Sequence, residues 1–312
     1  MQSRINDTST KEAVLKAVQQ DGLELQHANN ALQDDHEVVL HAMRQYVRSL
    51  PYASNRLRNH KNFMLEVVRR NGLALEFAHP RLQNDRDVVL TAIRQEGDAL
   101  RYASGVVRND QAFTIEAVGN NGLALRGSTD VFKNNRDVVL AAVRQNGLAL
   151  QYASSALQND IDVVTAALHQ NALALQYASP TLQNDRDTVL YAIRQNAWAL
   201  RYASNTLKQD KSLVICALDQ NPDALRFASP ELQEDPVLLQ YAGTSYSFLI
   251  KALAGLLIST ALMALSILIL TTFMSAPPMV GVGVYAVGLI ACGFFTHRAV
   301  SHQLDVNELT LT

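Results

Sequence analysis

The sequence predicts an all-α protein, an α-solenoid of nine 25-residue helical repeats followed by a C-terminal two-helix transmembrane hairpin. Two observations carry this. Leucine recurs at Leu25, Leu50, Leu75, Leu100, Leu125, Leu150, Leu175, Leu200 and Leu225 without insertion or deletion, the signature of a tandem array of small stacked modules. Ala252 to Phe295 contains no charged residue. The expected organisation is a polar leader over 1–10, the solenoid over 11–242, a hinge over 243–251, the hairpin over 252–295 and a cytosolic tail over 296–312.

Net charge is -2, from 27 basic and 29 acidic residues, so there is no electrostatic basis for nucleic-acid binding. Cys216 and Cys292 are the two cysteines, one in a repeat helix and one in the apolar stretch, which argues against a disulfide framework. The leader lacks the apolar segment of a secretory signal, and a reducing, cytosol-like compartment is expected for the repeats.

Units run from residue 11 in steps of 25, and residues 136–160 serve as the reference. Asn135 and Asp137 suit a helix N-terminus, and Val139, Ala142 and Val143 give the i, i+3, i+4 spacing of a buried face. Asn146-Gly147 is expected to stop that helix, with glycine taking the left-handed C-terminal conformation. A second helix of about six residues follows, its buried positions continuing through Leu150, Ala153 and Leu157. His79-Pro80, Ser179-Pro180 and Ser229-Pro230 in sister units read as N-cap and first helical position, so a fresh short turn, 3₁₀ in type, is expected there. Neither helix is stable alone at such lengths; stacking must supply the core.

Ala17, Ala42, Ala92, Ala117, Ala142, Ala167, Ala192 and Ala217, interrupted by Val67, mark where adjacent units approach most closely. Tyr52, Phe77, Tyr102, Tyr152, Tyr177, Tyr202 and Phe227 form an aromatic column, read as core packing with tyrosine hydroxyls at the edge rather than as a ligand-stacking surface. Residues 119–135 depart from the pattern: Gly119 replaces an arginine, and Gly127, Ser128 and Phe132 replace an aromatic, an alanine and a leucine. A loosened or curved unit and a partner-contact point both remain open there.

The segments DVVLTAIRQEGDALRYAS (87–104), DVVLAAVRQNGLALQYASSALQND (137–160) and DTVLYAIRQNAWALRYASNTLKQD (187–210) carry a resemblance to a family of uncharacterised helical repeats. That family is common in secreted effectors of Legionella and related intracellular bacteria. The resemblance implies a fold and a lineage of effectors acting inside a eukaryotic host; it brings no catalytic residues.

Ala252 to Met274 is 23 residues, about 34 Å as a helix, and Met279 to Phe295 is 17 residues, about 25 Å, at the short end of the spanning range. Ser275-Ala276-Pro277-Pro278 breaks them apart. Gly255 with Ser259, and Gly288 with Cys292, place small residues four apart for close antiparallel packing. Lys251, His297 and Arg298 flank an uncharged loop, which predicts cytosolic termini and a hairpin set in a membrane, with a re-entrant second segment as the alternative. A buried hairpin closing the solenoid is disfavoured, because a soluble core helix keeps a polar stripe.

Catalytic signals are missing. His36 and His41 are five apart, a near miss to the zinc spacing H-E-x-x-H that turns them away from one another. His27 sits in the aromatic column and His60 in a capping column, and no metal, cofactor or phosphate-loop motif is expected. Arg44, Arg69, Arg94, Arg144 and Arg194 recur in one column. They read as a solvated face paired with nearby carboxylates, or as a partner-binding stripe for acidic peptides or anionic headgroups. The leading function is a membrane-anchored scaffold that binds a protein partner, a bacterial effector acting in a host cell. The runner-up is a membrane-active protein whose hairpin oligomerises or remodels the bilayer under control of the solenoid. An enzyme with an unfamiliar site in residues 119–135 ranks third.

Overall fold

In the computed structural model, residues 5–243 are described, apart from residue 7, and they contain helices and turns but no strand. Each unit opens with a ten-residue α-helix, from Lys11–Gln20 to Lys211–Gln220, as the apolar spacing requires. In the reference unit this is Arg136–Gln145, with Val138, Val139, Ala142 and Val143 fully buried. The Asn135 side chain accepts from the Asp137 and Val138 amides, supplying the expected cap. Most of these helices pack on that of an adjoining unit, as Arg136–Gln145 does on Gln111–Asn120 and Ile161–Gln170.

The second helix has the expected six residues but is 3₁₀ throughout, as in Gly147–Tyr152. The closing turn is a single α-helical turn in most units, as in Pro80–Gln83 and Pro180–Gln183, and 3₁₀ only at Leu157–Asn159 and Leu207–Gln209. The 3₁₀ type expected of the closing turn thus holds in two units, the reference unit included, and the turn is α-helical in the others. Two of the three caps hold: His79 accepts from the Arg81 amide and Ser179 Oγ from the Leu182 amide, each with proline at the first helical position, while Ser229 makes no side-chain cap.

The role assigned to glycine is corrected. No residue, glycine included, has a positive φ among those described; the ten-residue helix ends instead on extended Asn146 at φ -148°. Gly147 is needed for space, because an added Cβ would lie 2.4 Å from the Ala167 carbonyl oxygen of the next unit. Gly72 meets Ala92 and Gly122 meets Ala142 in the same way, at 2.3 and 2.5 Å. The alanine column is therefore a line of close approach, with glycine facing it at Gly22, Gly72, Gly122 and Gly147. Gly147→Ala should destabilise by roughly 1–3 kcal/mol through overpacking. Gly119→Ala, with nothing within 4 Å of the new Cβ, should stabilise the Gln111–Asn120 helix by about 0.5–1 kcal/mol. Paired denaturant titrations would show these opposite signs.

The leucine register forms the centre of the core. The eight leucines from Leu25 to Leu200 in steps of 25 are all 0% exposed, and the ninth, Leu225, is half-buried in the final complete unit. The aromatic column is half-buried at the edge of this core, rather than inside it, and Tyr52 reaches 36% exposure. Beyond residue 235 a tenth unit begins: Asp235 caps helical backbone over 236–243, and Leu238 is fully buried. Gly243, expected to open the hinge, is still helical.

Candidate functional site

All five arginines of the predicted stripe are exposed, in the last turn of their helices, where the helix C-terminal dipole favours a cation. None meets a carboxylate among the described residues; Arg94 Nε donates to Asn120 Oδ1 at 3.0 Å. The expected pairing with nearby acids is therefore not made by this column.

A different column makes it, one that the sequence reading missed. Lys11, Lys61, Arg86, Arg136, Arg186 and Lys211 open their helices and bridge to Asp35, Asp85, Asp110, Asp160, Asp210 and Asp235, each 24 residues on. Each aspartate does two jobs: in Asp160, Oδ1 accepts from the Asp162 and Val163 amides, while Oδ2 accepts from Arg136 Nε at 3.0 Å. The carboxylate thus caps one helix and ties it to the helix before. Capping alone explains aspartate at that position, which is why the basic residue 24 earlier went unread.

These carboxyls are held below the usual aspartate range. At Asp35, Asp85 and Asp160, partial burial acts to raise the value and is outweighed by the cation and the backbone amides. At Asp110 the Phe113 amide dominates, at Asp210 the Ser212 hydroxyl, and at Asp235 the Lys211 ammonium. A depressed folded-state value contributes stability above the unfolded aspartate value of about 4, and that contribution is lost as pH falls through the folded values. The thermal midpoint should hold from about pH 7 to pH 5 and fall steadily below about pH 4. The groups are partly exposed, so each contributes little, and the effect comes from their number.

A third set of links runs between closing turns. The backbone amides of Ser54, His79, Ser104, Ser154, Ser179, Ser204 and Ser229 each donate to the carbonyl 21 residues earlier, in the preceding unit. Among the described residues, one junction between complete units lacks this bond: Thr129 does not reach Arg108. Ser104, Ser154, Ser179 and Ser204 also donate side-chain hydrogen bonds to Asn84, Asn134, Asn159 and Asn184 at 2.5–2.7 Å. At the break, Thr129 Oγ1 is buried without a partner, and so is Arg108 Nε. In the second and third units the residue in the Arg108 column is tied to backbone: Gln83 Nε2 donates to the Leu75 and Glu76 carbonyls, and Arg58 reaches the carbonyls of Ala53 and Phe77.

The same junction holds a cleft of about 400 Å³ lined by Asp98, Arg101, Arg108, Arg126 and Gly127. Gly127 stands where sister units carry an aromatic ring, and its backbone approaches so closely that an added Cβ would lie 2.9 Å from the Arg101 nitrogen. Arg126 pairs with Asp98 at 2.8 Å. The irregularity over 119–135 was visible in the sequence. The convergence of three arginines was not, because they come from two units and two columns.

The histidines have structural roles: His60 Nδ1 accepts from the Phe63 amide as an N-cap, and His36 Nε2 lies 3.4 Å from Glu66. No group of three metal-ligating side chains occurs among the described residues, and none of their helices is long and apolar enough to cross a membrane. The two segments expected to span the membrane, with Gly255, Ser259, Gly288 and Cys292, lie outside the described residues.

Curated proteins and solved structures give no match to this chain. A family model does match, six times, over residues 10–58, 60–108, 110–158, 135–183, 160–208 and 185–233. Each match covers about two of the 25-residue units, and together they take in nearly all of the array. The chain belongs to the family described as domain of unknown function (DUF4116), a family of repeats built in this protein as tandem helical units.

Proposed function

We propose that the protein is a membrane-anchored repeat scaffold that binds a protein partner on the cytosolic face of a membrane. The observation that carries this reading is the arginine column: Arg44, Arg69, Arg94, Arg144 and Arg194 are exposed in equivalent places along a nine-unit array, and none is neutralised by a carboxylate among the described residues. Such a row suits an extended acidic segment of a partner, because guanidinium forks bind carboxylates in pairs. In this reading the uncharged segment 252–295 fixes the array on a bilayer, and the solenoid recognises rather than catalyses. The resemblance of the repeats to those of Legionella-type secreted effectors supports a bacterial effector acting in a host cell.

The segment 252–295 also favours a second reading, in which the hairpin assembles or reshapes the bilayer and the array regulates it. Carbonate extraction of membranes followed by size exclusion in mild detergent separates them. The scaffold reading predicts a chain retained in the membrane and a discrete monomer or dimer in detergent. A large uniform ring would favour the second reading, and release by carbonate would defeat both.

A further inference from the structure

The cleft between the fourth and fifth units is the best-built candidate site outside the arginine column. Three features coincide there. The repeat's inter-unit backbone hydrogen bond is missing at Thr129, the ring of the aromatic column is missing at Gly127, and Arg108 Nε is buried without a partner. A guanidinium N–H left unpaired away from water is costly, so a regular repeat would tie it down as Gln83 and Arg58 are tied. Arg101 and Arg126 converge on the same 400 Å³ space. One of the three positive charges is met by Asp98 through Arg126. Two remain.

From this geometry we infer that the cleft between the fourth and fifth units binds a doubly charged oxyanion of the phosphate monoester class, carried by a soluble small molecule. Two uncompensated guanidiniums match a dianion in charge, and their planar donor forks match its oxygens in shape. Elsewhere the aromatic column occupies the corresponding place, as Phe227 does beneath Arg226 with the guanidinium 4.9 Å from the ring centre. At Gly127 no ring covers the cleft, and its backbone lines the cavity instead. The site is independent of the partner-binding reading, since the five column arginines do not line it.

The test is isothermal titration calorimetry of the full chain in mild detergent, with inorganic phosphate and glycerol 3-phosphate as probes. Arg108→Gln, Arg101→Gln and Arg126→Gln introduce residues that already stand in the same columns, at Gln83, Gln158, Gln151 and Gln176, so the variants retain the fold. Unchanged circular dichroism and melting confirm that. The expected result is saturable binding at one site per chain, weakened about tenfold or more by each substitution and unaffected by Arg94→Gln. Affinity should also rise from about pH 5 to pH 7.5, as a monoester loses its second proton near pH 6, while a sulfate monoester shows no such rise. Absence of saturable binding, unchanged binding in Arg108→Gln, or equal weakening by Arg94→Gln would overturn the inference.

Discussion

Leu150→Ala should lower stability by about 2–5 kcal/mol, while the same change at Leu225 should cost clearly less. Leu150 is fully buried at the centre of its unit, held between neighbours on both sides, so truncation leaves a cavity that the flanking 3₁₀ helices cannot close. Leu225 is half-buried and belongs to the last complete unit. In a stacked array each unit is stabilised mainly by its neighbours, so a central defect also weakens the two adjoining interfaces. Denaturant titration would give the two values, and hydrogen exchange would show the loss of protection spreading from 136–160 into the units on either side. Equal costs at the two positions would contradict the stacked-core account.

Ala142→Leu is expected to be the most damaging enlargement, at about 1–3 kcal/mol or more. Ala142 is fully buried, and its carbonyl oxygen stands 2.5 Å from where a Cβ on Gly122 would lie, so neighbouring backbones already touch. Three added carbons must push the fifth and sixth units apart and break the hydrogen bond from the Gly122 amide to Gln145 Oε1, now 2.7 Å. A thermal midpoint unchanged by this substitution would show that the alanine column is not the line of closest approach.

The two substitutions mark what could be read from the sequence. The period, the ten-residue helix, its buried face and the Ser179-Pro180 cap follow from spacing and capping chemistry within one unit and are present, whereas Ser229 makes no side-chain cap. What escaped reading depends on the distance between units. Glycine in Asn-Gly pairs ordinarily signals a left-handed cap, but at Gly147 it answers to a carbonyl 20 residues away. The aspartate caps were legible, whereas their second oxygen finds a cation that only stacking brings near. For the same reason the arginine column was readable as a column but not as unpaired, and Arg101, Arg108 and Arg126 did not stand out as a group. Sequence repeats reveal the unit; the sites lie at its junctions.

The most direct test of the scaffold account is proximity labelling in eukaryotic cells with the labelling enzyme at the N-terminus. Three chains would be compared: full length, one ending at Gly243, and full length with Arg44, Arg69, Arg94, Arg144 and Arg194 all changed to serine. The account predicts that the full chain sits on one membrane, that the shortened chain leaves it yet labels the same proteins, and that the serine variant stays on the membrane and loses them. If the shortened chain labels nothing specific, or the serine variant labels the same proteins as the full chain, the array and its arginine column are not the recognition element.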